Sequence, residues 1–158
     1  MIDQDPTPSV QLDEAYEKNG LQLRYPGFWQ LECTEDGETS SITILAENTA
    51  FWMVSIVPGL VTADEVLDAA LESYQEEYDE FDVYERKMDK SNSWMTQELE
   101  VVCHDLITSV TLNAIELEEC SLFVLYQGED SDLDEKRSTF DAMTASLRVI
   151  PEEIGGSS

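Results

Sequence analysis

The sequence predicts an α+β fold, a largely antiparallel sheet of about six to seven strands with helices packed on it. Three observations predict it: runs of alternating apolar and polar residues recur between Leu21 and Gln127, a helical stripe interrupts them after Pro58-Gly59, and a second helical stripe follows before Pro151. With 158 residues, 42% of them hydrophobic, the chain is long enough to bury a core, which excludes a disordered tail as the whole.

Residues 1–19 are polar and contain Pro6 and Pro8, so they are expected to form a flexible N-terminal lead. Asn19-Gly20 is a turn signal, after which Leu21, Leu23 and Tyr25 fall on one face of a strand. Pro26-Gly27 then predicts a tight connection to an antiparallel partner at Trp29-Gln30-Leu31. An acidic loop from Thr34 to Thr39 precedes strands at Ser41 to Ala46 and Thr49 to Val57. Both faces of the second are bulky from Ala50 to Val54, which predicts burial on both sides.

Thr62-Ala63-Asp64-Glu65 has capping-box spacing, with a threonine oxygen for an early helical amide and a glutamate that reaches back to the cap. Val66, Leu67, Ala70, Leu71, Tyr74 and Tyr78 continue as one helical stripe, ending near Tyr78. Strands follow at Phe81 to Lys87, Trp94 to Cys103, Leu106 to Ile115 and Cys120 to Gln127, with a hairpin turn at His104-Asp105. A final helix capped by Ser131 turns Leu133, Phe140, Met143 and Leu147 inward. Residues 20–150 are thus expected to form a single α+β domain and residues 151–158 a disordered C-terminal tail.

Thirty-five acidic against eight basic residues give a net charge of -27, so phosphate backbones and anionic membranes are repelled. This argues against nucleic acid or membrane as a partner. The amino terminus has neither a basic n-region nor an apolar stretch, and the three cysteines are odd in number without a CxxC pair. Free thiols and a cytoplasmic location are expected. The single histidine, His104, excludes a His-based zinc site built from this chain alone, and no cofactor is expected.

The stretch Gly20-Leu21-Gln22-Leu23-Arg24-Tyr25-Pro26-Gly27-Phe28-Trp29, an apolar strand meeting a proline and a nearby tryptophan, resembles the opening of the PsbP/DcrB-like superfamily. That superfamily also includes a Ran-binding import factor and the Eag chaperones of type VI secretion. The similarity extends through the helix after Pro58-Gly59, the strand meander, and the helix around Phe140 to Leu147, covering Gly20 to Ile150. It implies an α-β-α sandwich and a non-enzymatic adaptor, chaperone-like or accessory role, with no catalytic residues to carry over. The first residues do not read as the export signal of the PsbP and DcrB branches, so a compartment different from theirs is expected.

Four features are candidate sites. Asp130, Asp132 and Asp134 have the D-x-D-x-D spacing of a calcium loop, with Asp141 at the twelfth position. Glu135 stands where such a loop needs glycine, and acids in a first helical turn serve the helix dipole without metal. Cys103-His104-Asp105 has the residue types of a thiol site, but neighbours in a strand point to opposite faces. The acidic run from Asp64 to Asp82, including Glu72, Glu76 and Glu77, would attract a basic partner or simply be solvated. Trp29, Trp52 and Trp94, with Phe28, Phe51 and Tyr25, would line a groove for an apolar peptide or helix or, as the favoured reading, form core, and Trp94, beside Ser91-Asn92-Ser93, is the one expected at the surface. The favoured function is a protein-interaction domain that uses Glu72, Glu76, Glu77 and Trp94 to meet a protein with a basic surface. The alternatives are a small acidic-loop metal-binding domain or enzyme, and, more distantly, a DNA-mimic inhibitor.

Overall fold

The computed structural model describes residues 11–18, 20–36, 39–90, 93–103 and 105–149. Eleven strands and two helices occur among them: β1 (Glu14–Lys18), β2 (Leu21–Tyr25), β3 (Gln30–Asp36), β4 (Thr39–Leu45), β5 (Phe51–Pro58), α1 (Ala63–Glu77), β6 (Phe81–Val83), β7 (Lys87–Met88), β8 (Met95–Cys103), β9 (Leu106–Glu116), β10 (Cys120–Glu129), α2 (Asp130–Ala145) and β11 (Arg148–Val149). The large sheet runs β3-β4-β5-β10-β9-β8-β6, with β7 also paired to β8. A small sheet runs β1-β2-β11, and every pairing in both is antiparallel.

Alternation in the central strands divides the core in two. Trp52 and Val54 of β5 and Leu122, Val124 and Tyr126 of β10 face α2 and the small sheet, where they meet Leu21, Leu23, Leu133, Phe140 and Met143. Leu125 of β10 points the other way, with Leu99, Val101, Val110 and Leu112 of β8 and β9, onto Val66 and Leu67 of α1. The result is an α-β-α sandwich with the small sheet beside α2. Next to the end of β10, Gly128 allows close approach, since a Cβ there would stand 2.9 Å from Ala50.

The capping box is formed: Glu65 N donates to Thr62 Oγ1 at 3.1 Å, and Thr62 N donates to Glu65 Oε1 at 3.0 Å. Helix α1 ends where Tyr78 takes an extended conformation.

Four expectations are corrected. The strand over Leu21–Tyr25 does not pair with the one after Trp29, because β2 pairs β1 and β11 while β3 pairs β4. Pro26 and Trp29 are both buried, and Trp29 packs edge-on against Phe140 of α2, so the intervening segment carries the chain from one sheet to the other. A strand, β1, occupies Glu14–Lys18 within the expected lead; Asp13 accepts from Gly27 N at 2.7 Å and Leu12 O accepts from the Arg24 guanidinium. Strand β6 stops at Val83 and β7 starts at Lys87, splitting the predicted Phe81 to Lys87 strand. Ser131 lies inside α2, whose cap is Glu129 without a side-chain hydrogen bond. His104 and residues 151–158 lie outside the described residues.

Candidate functional site

Helix α2 follows β10 directly and runs back across it, and the two elements differ in length. Sixteen helical residues rise about 24 Å, whereas the ten residues of β10 span about 34 Å. The helix therefore ends short of the strand's beginning, and on this face of the sheet it does not cover the first residues of β10 and the last of β9. After α2, Leu147 is buried and β11 turns away to pair with β2.

The space left is a groove of about 530 Å³. Its apolar lining comes from Trp94, Ile115, Leu117, Leu122, Leu147 and Val149. Cys120, Thr144, Ala145 and Arg148 complete the wall, and Glu118 and Glu119 stand exposed at the rim. The β9–β10 turn carrying them is closed by Leu117 N donating to Cys120 O at 2.8 Å. Its neighbour Glu116 is engaged differently, accepting from Ala63 N at 2.8 Å at the start of α1.

Much of the polar chemistry in this groove serves the fold. Thr144 Oγ1 accepts from Trp52 Nε1 and donates to Phe140 O, both at 3.0 Å. One guanidinium nitrogen of Arg148 donates to Ala145 O at 3.0 Å and Leu147 O at 2.7 Å, satisfying carbonyls at the end of α2. Burial pushes the Cys120 thiol up, with Glu119 adding to the effect, so it is a poor nucleophile at neutral pH. What the groove offers is apolar surface under an acidic rim.

The residues singled out from the sequence separate in space. Trp94 is half-buried in the groove wall. Glu72, Glu76 and Glu77 are exposed on α1, which packs on the opposite face of the large sheet. Asp130, Asp132 and Asp134 do not converge: Asp130 accepts from Ser109 Oγ at 2.8 Å, Asp134 is exposed, and Asp132 is directed inward. Asp132 accepts from Thr49 N, Thr49 Oγ1 and Ala50 N at 2.8 to 3.0 Å, and from Lys136 Nζ. Burial works against its charge, but the hydrogen bonds from Lys136 and Thr49 and the lysine charge hold its carboxyl below the ordinary value. Among the described residues no group of three His, Cys, Asp or Glu side chains is placed to hold a metal ion.

A polar cluster that the sequence did not reveal lies beside α2. Tyr126 donates to Asp141 at 2.7 Å, and the Arg137 guanidinium lies 5.8 Å from the Tyr126 ring centre and 3.7 Å from Glu98. Burial, then the Asp141 charge, drives the Tyr126 hydroxyl far above its ordinary value. Asp141 is exposed overall, yet desolvation of its carboxyl raises it, with Glu98 adding repulsion. Only the Tyr126 alternation was visible in the sequence, and nothing there pairs it with a helix residue.

No protein-family model matches the chain, and no curated protein matches it. Solved structures do. The chain is similar to the cyanobacterial PsbP protein CyanoP of Synechocystis, with a TM-score of 0.63 at 15% identity over 86% of this chain and 91% of that one. It is similar to the Ran-binding protein Mog1p of Saccharomyces cerevisiae, with a TM-score of 0.56 at 7% identity over 83% and 90% of the two chains. A third is LpqN, involved in cell envelope biogenesis of Mycobacterium tuberculosis, at TM-score 0.51 and 10% identity over 83% of each chain. The chain therefore has the PsbP/Mog1-like fold, and at these identities the likeness is one of fold.

Proposed function

We propose that this chain is a non-enzymatic protein-interaction domain that binds a partner through the groove between the end of α2 and the β9–β10 turn. The observation that carries this reading is the groove's composition: apolar walls under an acidic rim, with the hydroxyl of Thr144 engaged in the fold. The presence of a Ran-binding protein among the structures of the same fold supports it by analogy. The acidic face of α1, with Glu72, Glu76 and Glu77, would raise the encounter rate with a basic partner without forming the contact itself. Free thiols at Cys33 and Cys120 favour a cytoplasmic setting.

Affinity capture from lysate of the source cells, with mass spectrometry, tests the reading. Wild type is compared with Leu117→Lys in the groove and with the triple variant Glu72→Gln, Glu76→Gln, Glu77→Gln. One near-stoichiometric protein retained by wild type, lost with Leu117→Lys and recovered with slower association by the triple variant, is the expected result. Identical capture by wild type and Leu117→Lys would remove the groove from the account.

A further inference from the structure

Strand β11 lies at an edge of the small sheet, with β2 on one side and, among the described residues, no strand on the other. In an antiparallel ladder, successive residues turn their N–H and C=O alternately toward and away from the partner strand. Of the two ladder residues Arg148 and Val149, one therefore presents both backbone groups outward. Both line the groove, whereas no residue of β1 or β2 does, so the groove lies on the free side of β11. An open strand edge beside an apolar trough is the arrangement that accepts an added strand: main-chain hydrogen bonds supply affinity, and alternate side chains enter the trough.

The rim sets the charge of what is added. Glu118 and Glu119 stand exposed on the β9–β10 turn across from β11, while the one lining cation, Arg148, is partly engaged by the carbonyls of Ala145 and Leu147. The net charge of -27 reinforces the preference for a cationic arrival. We propose that the groove binds an extended segment of a partner protein, with alternating apolar side chains and flanking lysine or arginine, as an added strand on β11. The proposal rests on the interaction reading above and specifies its ligand.

Selection of a random dodecapeptide library displayed on phage, using the full chain at low salt, is the test. The expected winners have apolar residues at every second position and lysine or arginine at one or both ends. A synthetic winner should lose affinity about tenfold on the double variant Glu118→Lys, Glu119→Lys, whose exposed positions leave the fold intact. It should lose a similar factor when alternate backbone amides of the peptide are N-methylated. Winners with helical i, i+4 spacing, winners without basic flanks, indifference to the double variant, or no winners at all would each overturn the proposal. A domain that captures its partner yet prefers helical peptides would retain the interaction reading and lose this one. Competition by a synthetic peptide of residues 150–158, or self-association that masks the groove, would assign the edge to the chain's own tail or to a second copy and also overturn it.

Discussion

Lys136 pairs with Asp132 one turn earlier on α2, and both side chains are only 8% exposed. The same carboxylate receives the amides of Thr49 and Ala50, so one buried ion pair joins the helix to the turn before β5. Removing one partner leaves the other's charge buried, which costs about 3–5 kcal/mol. Lys136→Met and Asp132→Asn should each destabilise the protein on that scale, and the double variant should lose less than the sum in urea unfolding. Additive losses would show that the two side chains do not act as a pair.

Asp141 and Asp132 give opposite pH dependences. Asp141 lies above the ordinary carboxylate value of 3.8, so its charge destabilises the folded state at neutral pH and that cost fades as pH falls through the raised value. Asp132 lies below 3.8, so its contribution is full above that value and is lost as pH falls through the lowered one. The melting temperature should rise on mild acidification and fall in stronger acid. Asp141→Asn should make the rise shallower; a profile that overlays wild type would contradict the assignment.

The surplus of acids over bases predicts a salt effect. Among eight lysines and arginines, Arg86 already bridges Asp64 and Asp68 at 2.7 and 2.8 Å, so the remaining acidic surface is largely self-repelling. Sodium chloride should raise the melting temperature, by about 2–4 °C for each kcal/mol of repulsion screened. A flat or falling response in calorimetry would show that the acidic face costs the fold nothing.

Trp52 is fully buried and its indole N–H donates to Thr144. Thr144→Val preserves shape but leaves that N–H without an acceptor, at a cost of about 1–3 kcal/mol. Thr144→Ser should retain most of the stability in the same denaturation experiment. Equal losses for both variants would trace the effect to packing in place of the hydrogen bond.

The parts legible in the sequence were those encoded locally. Leu21, Leu23, Trp52 and Val54 alternate, and Thr62 with Glu65 caps α1, because each signal spans only a few residues. Strand β1 was invisible because its side chains are exposed except for half-buried Tyr16, so no apolar alternation marks it. Pro26-Gly27 has the local pattern of a hairpin turn, yet the chain there passes from β2 in one sheet to β3 in the other, a path fixed by the non-local packing of Trp29 on Phe140. The groove depends on α2 being shorter than β10 and on the two-residue strand β11, neither of which has a sequence pattern. Trp94 stands out in the sequence for its polar neighbours, and it meets Ile115 across the β8–β9 hairpin and Val149 of the other sheet only in the folded groove wall.

A protein partner seated in the groove would slow backbone exchange along its walls. Hydrogen–deuterium exchange of the full chain, alone and saturated with the protein it captures, measures this directly. New protection is expected at residues 115–122 and 147–149, around the β9–β10 turn and β11. Protection confined to the exposed face of α1, with these segments unchanged, would contradict it.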